Sequence, residues 1–141
     1  MLIDASLLLG LIFINGVLAM SELAIVGSRR SRLTQLAAGG HAGAAHALAL
    51  SSDPMRFLST VQVGITAIGI LIGAVGDASI AGRLRVGLEE IPVLAGHADG
   101  LSFAVTVIGL TYLSLVVGEL VPKRFALTRP ERIASVIARP M

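Results

Sequence analysis

Cysteine is missing from this 141-residue chain, so disulfides and thiolate metal sites are excluded. Tryptophan is missing too and aromatics are only 4%, which removes the stacking platforms that single-stranded nucleic acids use. Charge is scarce: 14% of residues are Asp, Glu, Lys or Arg, against roughly 25% in soluble domains. The three histidines, His41, His46 and His97, show no zinc spacing, and no nucleophile–base constellation or phosphate-cradling glycine loop supports an enzyme. What remains is apolar: 55% of the chain is hydrophobic, gathered into long runs. That is the composition of an all-α integral membrane protein.

Three stretches are long and apolar enough to span a bilayer, which takes about 20 residues: 5–26, 57–75 (within a helix over about 55–76) and 101–121. The first has no basic segment before it and carries Arg29-Arg30 after it, the opposite of a cleaved leader, so it reads as a span that stays. Nine of the eleven basic residues fall between spans one and two or after span three. The positive-inside rule then puts the N-terminus outside and the C-terminus in the cytoplasm of a cell membrane, as a multi-pass protein.

The inner connector, 31–52, is alanine-rich and reads as juxtamembrane helix broken near Gly39-Gly40. Asp53 and Pro54 are a helix start, N-cap followed by a proline at the first helical position. The outer connector, 81–100, is mixed, with Pro92, Gly96 and Gly100 as breakers. After Pro130, residues 130–139 read as an amphipathic interfacial helix with Ile133, Val136 and Ile137 on its apolar face. In span two, Gly69 and Gly73 stand in a small-xxx-small relation that suits close helix contact.

Carboxylates in or beside hydrocarbon are costly and mark candidate sites. Glu119 lies at the inner end of the third run, and Glu22 does the same in the first. Pro122 deprives the carbonyl of Gly118 of its helical partner, which makes that oxygen a ready ligand beside Glu119. Gln62, Thr66 and Gly69 share one face of span two, Thr111, Ser114 and Gly118 one face of span three, and Asn15, Ala19 and Glu22 one face of span one. An all-oxygen set of this kind suits hard cations such as magnesium or calcium. The competing reading pairs Glu119 with Lys123 at i+4 and Glu22 with a nearby arginine. For the glycines and lone hydroxyls the competitor is plain helix packing.

The strings Asn15-x3-Ala19-x-Ser21-Glu22-x-Ala24, Arg56-Phe57-Leu58-Ser59 with Gln62-Val63-Gly64-Ile65-Thr66, and Gly118-Glu119-x2-Pro122-Lys123 resemble the transmembrane domain of the CNNM/CorC family, in its Gln-x-Gly-Ile-Thr branch. The resemblance covers nearly the whole chain. It implies three transmembrane helices with cytoplasmic juxtamembrane helices in a homodimer, and magnesium export coupled to sodium entry. It also implies a following CBS-domain pair that binds ATP; that region is absent from this chain, which therefore reads as the membrane part of a longer protein. Carried over from the family, Ser21 and Glu119 match its magnesium ligands, whereas Ile65 and Gly69 stand where the magnesium exporters have asparagines. Thr66, a backbone carbonyl near Gly69, or water would then complete the shell with Gly118 and Glu22. Asn15, Gln62, Thr111 and Ser114 would line the sodium path. Two other readings stand beside this one: a membrane anchor or sensor for cytoplasmic domains, and an exporter of organic, polyamine-like cations. Partners are lipid, the two ions and a second copy, with no nucleic acid.

Overall fold

A computed structural model describes residues 2–138 and is all-α. Helix α1 spans Leu2–Gly27, α2 Arg30–Ala38, α3 Ala42–Leu50 and α4 Pro54–Gly76. A π-helical turn, Asp77–Ala81, carries α4 into α5, Gly82–Glu89. Helix α6, Ala98–Leu115, passes through a second π turn, Val116–Leu120, into α7, Val121–Thr128; α8 is Pro130–Ile137. Three of these helical stretches, Leu2–Gly27, Pro54–Glu89 and Ala95–Thr128, are long and apolar enough to cross a membrane. The protein is a multi-pass integral membrane protein.

Local chemistry explains most of the boundaries. Gly40 adopts φ +84°, the left-handed conformation that glycine enters without a Cβ penalty, and it separates α2 from α3. The Asp53 carboxylate accepts the Arg56 N–H and Pro54 opens α4, as the sequence predicts.

One expectation needs correction. The connector expected over 81–100 is mostly helix, because the second long helix does not stop with its apolar run but continues to Glu89. Arg85 holds the extension: it bonds Glu89 one turn on at 2.8 Å and Asp99 at the start of α6 at 2.7 Å. Helix α8 packs inward through small residues. Glu131, Ala134 and Ala138 are buried at i, i+3 and i+7, while Val136 is exposed. Alanines admit the close approach of α3 and α1 that a branched side chain would block. Arg139, expected in that helix, lies outside the described residues.

Helix α1 is the axis of the bundle, packed along α4, α7 and the second π turn. One core cluster sits at the Arg-rich end, where Ala24, Ile25, Leu33, Phe57, Ala126 and Ala134 meet. A smaller one, Leu8, Ile12 and Ile72, sits toward the other end. The close approaches run through Gly16 and Gly118, and on α4 through Gly64 against Leu18 and Gly76 against Leu110, not through Gly69 and Gly73, around which a Cβ would meet nothing within 4 Å. Much of α4 and α6 is apolar and exposed, as lipid-facing helices are.

Candidate functional site

The third span turns at Glu119. Pro122 has no N–H to give to Gly118, and its ring crowds that carbonyl in an ordinary α-helix. The chain answers with a π turn, in which Val121 N–H donates to the Val116 carbonyl five residues back. The Gly118 carbonyl is not left free. The Asn15 side chain donates Nδ2–H to it at 3.3 Å, from α1. Around this bond the helices interlock: a Cβ on Gly118 would lie 3.0 Å from Asn15 Nδ2, and one on Gly16 3.0 Å from Pro122 Cγ. Asn15 is buried, and its Oδ1 has no hydrogen-bond partner among the described residues. A buried amide oxygen facing no donor is costly, and it has the right chemistry to receive a cation or water.

Lys123, the chain's single lysine, lies between the two carboxylates. Its Nζ is 3.6 Å from Glu22 Oε2 and 3.7 Å from Glu119 Oε2. Glu22 comes from α1 and Glu119 from the π turn, so one ammonium ties two spans together. Both distances exceed those of a direct hydrogen bond, and the three side chains are about a third exposed (29–38%). These are therefore loose Coulombic contacts, open to exchange with another cation. Sequence spacing gives the Glu119–Lys123 pair. The Glu22–Lys123 pair joins residues far apart in the chain and has no local signal.

Ser21 is fully buried and donates its hydroxyl to the Leu18 carbonyl at 2.7 Å, which leaves its oxygen able to accept a second contact. Thr66 is exposed and bonds back to Gln62 O, and Gln62 is exposed on the same face. Glu119, Ser114, Thr111 and Gly69 line one cavity of 260 Å³ between α4 and α6; Ser21, Glu22, Thr66, Gly118, Asn15 and Gln62 are not among its lining. Two further polar residues line it that the sequence did not single out: Asp77, in the first π turn, and Thr106, whose buried hydroxyl has no partner among the described residues. A lone Asp closing an apolar run was the available signal for the first. Among the described residues no group of three or more His, Asp or Glu is arranged to hold a metal.

The Gly-Glu-x2-Pro-Lys string thus has a shape: a π turn clasped by Asn15, with its Glu and Lys facing the Ser-Glu end of α1. Residues 6–141 match the model of the Cyclin M transmembrane N-terminal domain. The chain belongs to the CNNM family. Among curated relatives, a UPF0053 protein of Synechocystis sp. is 54% identical over 131 residues, covering 93% of this chain and 29% of its own. The UPF0053 protein YhdT of Bacillus subtilis is 36% identical over 140 residues, 99% of this chain and 30% of its own. The polyamine export protein of Escherichia coli K12 is 32% identical over 141 residues, 100% of this chain and 31% of its own. The chain thus spans about three tenths of the length of these relatives.

Proposed function

We propose that this CNNM domain is the membrane part of a cation exporter whose cargo is received at Glu22 and Glu119. The observation that carries this reading is the convergence of two carboxylates, from two different spans, on one ammonium group at the end of the apolar helices. Lys123 is then a tethered counter-ion that cargo displaces. The Arg-rich end faces the cytoplasm, and the N-terminus lies outside. Magnesium is the first cargo, exchanged for sodium. The donors we assign to it are all oxygen: the Glu119 and Glu22 carboxylates, the Ser21 hydroxyl, the second lone pair of the Gly118 carbonyl and Asn15 Oδ1. Asn15 then serves the cargo shell as well as the sodium path, and Thr66 and the Gly69 backbone give a further contact only if α4 moves inward. The α4–α6 cavity, with Thr111, Ser114 and Gly69, is the route toward the opposite end, and Gln62 stands at its cytoplasmic approach. A homodimer seals the polar groove from lipid, and a following CBS pair supplies ATP sensing.

One observation favours a second cargo. An alkylammonium already sits between the two carboxylates, and side-chain oxygens are missing at Ile65 and Gly69. Protonated polyamines present that same group, and one relative across the full length of this chain is named a polyamine export protein.

Proteoliposomes test both. With magnesium and an indicator dye inside, a sodium gradient directed inward should drive magnesium loss, and Glu119→Gln and Glu22→Gln should each abolish it. Spermidine efflux that competes with magnesium and fails in the same variants would assign the organic cargo. Flux of neither cation leaves the domain an anchor and overturns the transport reading.

A further inference from the structure

At the Arg-rich end, a cleft of 870 Å³ opens between the α1–α2 junction and the α7–α8 junction. Arg29, Arg32, Arg129 and Arg132 line it, with one acid, Glu131. None of the four guanidinium groups is in an ion pair among the described residues. Glu131 is engaged with backbone instead, since it is buried and its Oε1 accepts the Arg29 N–H at 3.5 Å. Helices α2 and α8 both begin at this cleft, at Arg29 and Arg129, and the Glu131 carboxylate lies at both starts, on the Arg29 N–H and in the first turn of α8. With Glu131 spent on these helix starts, the four arginines are the cleft's free positive groups. Arg30, by contrast, is tied away to the Ser51 carbonyl at 2.9 Å.

The surroundings of the cleft are apolar. Val26 precedes its α1 edge, Phe125 and Leu127 its α7 edge, and all three are exposed. A soluble anion has no use for such a rim. A phospholipid does, because its acyl chains cover the rim while its phosphates enter the cleft. The charge balance narrows the class. Four arginines less one glutamate leave three positive charges, more than a singly charged phosphodiester neutralises. Arginine is also the side chain suited to bidentate phosphate contact. Basic pockets beside membrane helices on the cytoplasmic side take headgroups of this kind.

We propose that this cleft is a binding site for an anionic phospholipid with more than one phosphate charge in its headgroup, as in diphosphatidylglycerol. The lipid clamps the α1–α2 turn to the α7–α8 turn, so it braces the two spans that carry Glu22 and Glu119. The site stands whether or not those carboxylates carry a cation.

The test is thermal unfolding of the delipidated chain, followed by circular dichroism because tryptophan is missing. Diphosphatidylglycerol should raise the midpoint more than a charge-matched amount of phosphatidylglycerol. Arg129→Gln/Arg132→Gln should raise the half-saturating lipid concentration by about tenfold or more. Arg124→Gln, an equally basic and exposed position that does not line the cleft, should leave it unchanged. Equal responses to the two lipids at matched charge would reduce the cleft to diffuse surface electrostatics. Pyrophosphate alone reproducing the full shift would make the ligand a soluble anion. An unaltered response in the double variant would also overturn the proposal. If the double variant fails to fold, Arg32→Gln decides by the same criterion.

Discussion

The side-chain amide of Asn15, on the first span, holds the Gly118 carbonyl of the third at 3.3 Å. Proline creates the need for that bond and a π turn creates the room. A proline at position 122 orphans a carbonyl inside an apolar bundle, where an unpaired polar group is expensive. Asn15 resolves it from a different helix, so the backbone irregularity of one span is locked to the side chain of another. Glu119 sits one residue from the lock and inherits its position from it.

Replacing Asn15 with Leu therefore strands the carbonyl without changing side-chain size much. The expected loss is about 0.5–1.5 kcal/mol, the net worth of one hydrogen bond, because the substitution strands the Gly118 carbonyl but also removes the unpaired Asn15 Oδ1. Thermal unfolding by circular dichroism measures it, and an unchanged midpoint would mean that water reaches the carbonyl and the lock is absent.

Glycines should sort by position. Gly118→Ala puts a Cβ 3.0 Å from Asn15 Nδ2 and 3.6 Å from the Ile12 carbonyl, and Gly16→Ala puts one 3.0 Å from the Pro122 ring. Each is expected to cost about 1–3 kcal/mol through overpacking. Gly69→Ala and Gly73→Ala meet nothing within 4 Å, so helix propensity alone acts and stability rises by up to about 1 kcal/mol. A parallel set of four melting curves on the purified chain decides it; a destabilised Gly73→Ala would contradict the open face.

These contrasts also mark what the sequence could reveal. The spans, the Gly39-Gly40 break and the Asp53-Pro54 start rest on composition and on neighbours a few residues apart, so they were legible. The extension to Glu89 was not. Arg83, Arg85, Glu89 and Glu90 look like a polar connector until Arg85 is seen bonded to Glu89 and Asp99. The π turns were hidden as well, because inserting one residue into a helical turn leaves no mark in composition. Glu119 with Lys123 was readable at i+4. Its tie to Glu22, the Asn15 lock and the buried hydroxyl of Thr106 all depend on how separate spans meet.

The left-handed turn at Gly40 offers a local test. An alanine there must hold φ near +84° or give up the turn, at a cost of about 1–2 kcal/mol. Hydrogen exchange should show it first in α2 and α3, which meet α8 and the Arg-rich core cluster, with α1 and α6 little changed. Uniform loss of protection in all spans would show that this turn is not a local unit.

Lys123 gives the sharpest prediction, because its two roles pull in opposite directions. As a structural tie it is weak: contacts of 3.6 and 3.7 Å between side chains about a third exposed belong with partly solvated ion pairs, so Lys123→Gln should cost no more than about 1 kcal/mol without added cation. In its proposed role as the counter-ion that cargo displaces, it is a competitor. Its removal leaves Glu22 and Glu119 with two uncompensated negative charges, and an incoming cation no longer has to displace a tethered one. The cation concentration that half-saturates the thermal shift should fall about tenfold, and the gain should shrink with ionic strength. Lys123→Arg keeps the charge and should stay close to the parent. Titrating magnesium and spermidine against all three proteins measures this. Binding in Lys123→Gln that is unchanged or weaker for both cations would mean that Lys123 does not compete for the place where cargo binds, and the carboxylate pair would lose its claim to be that place.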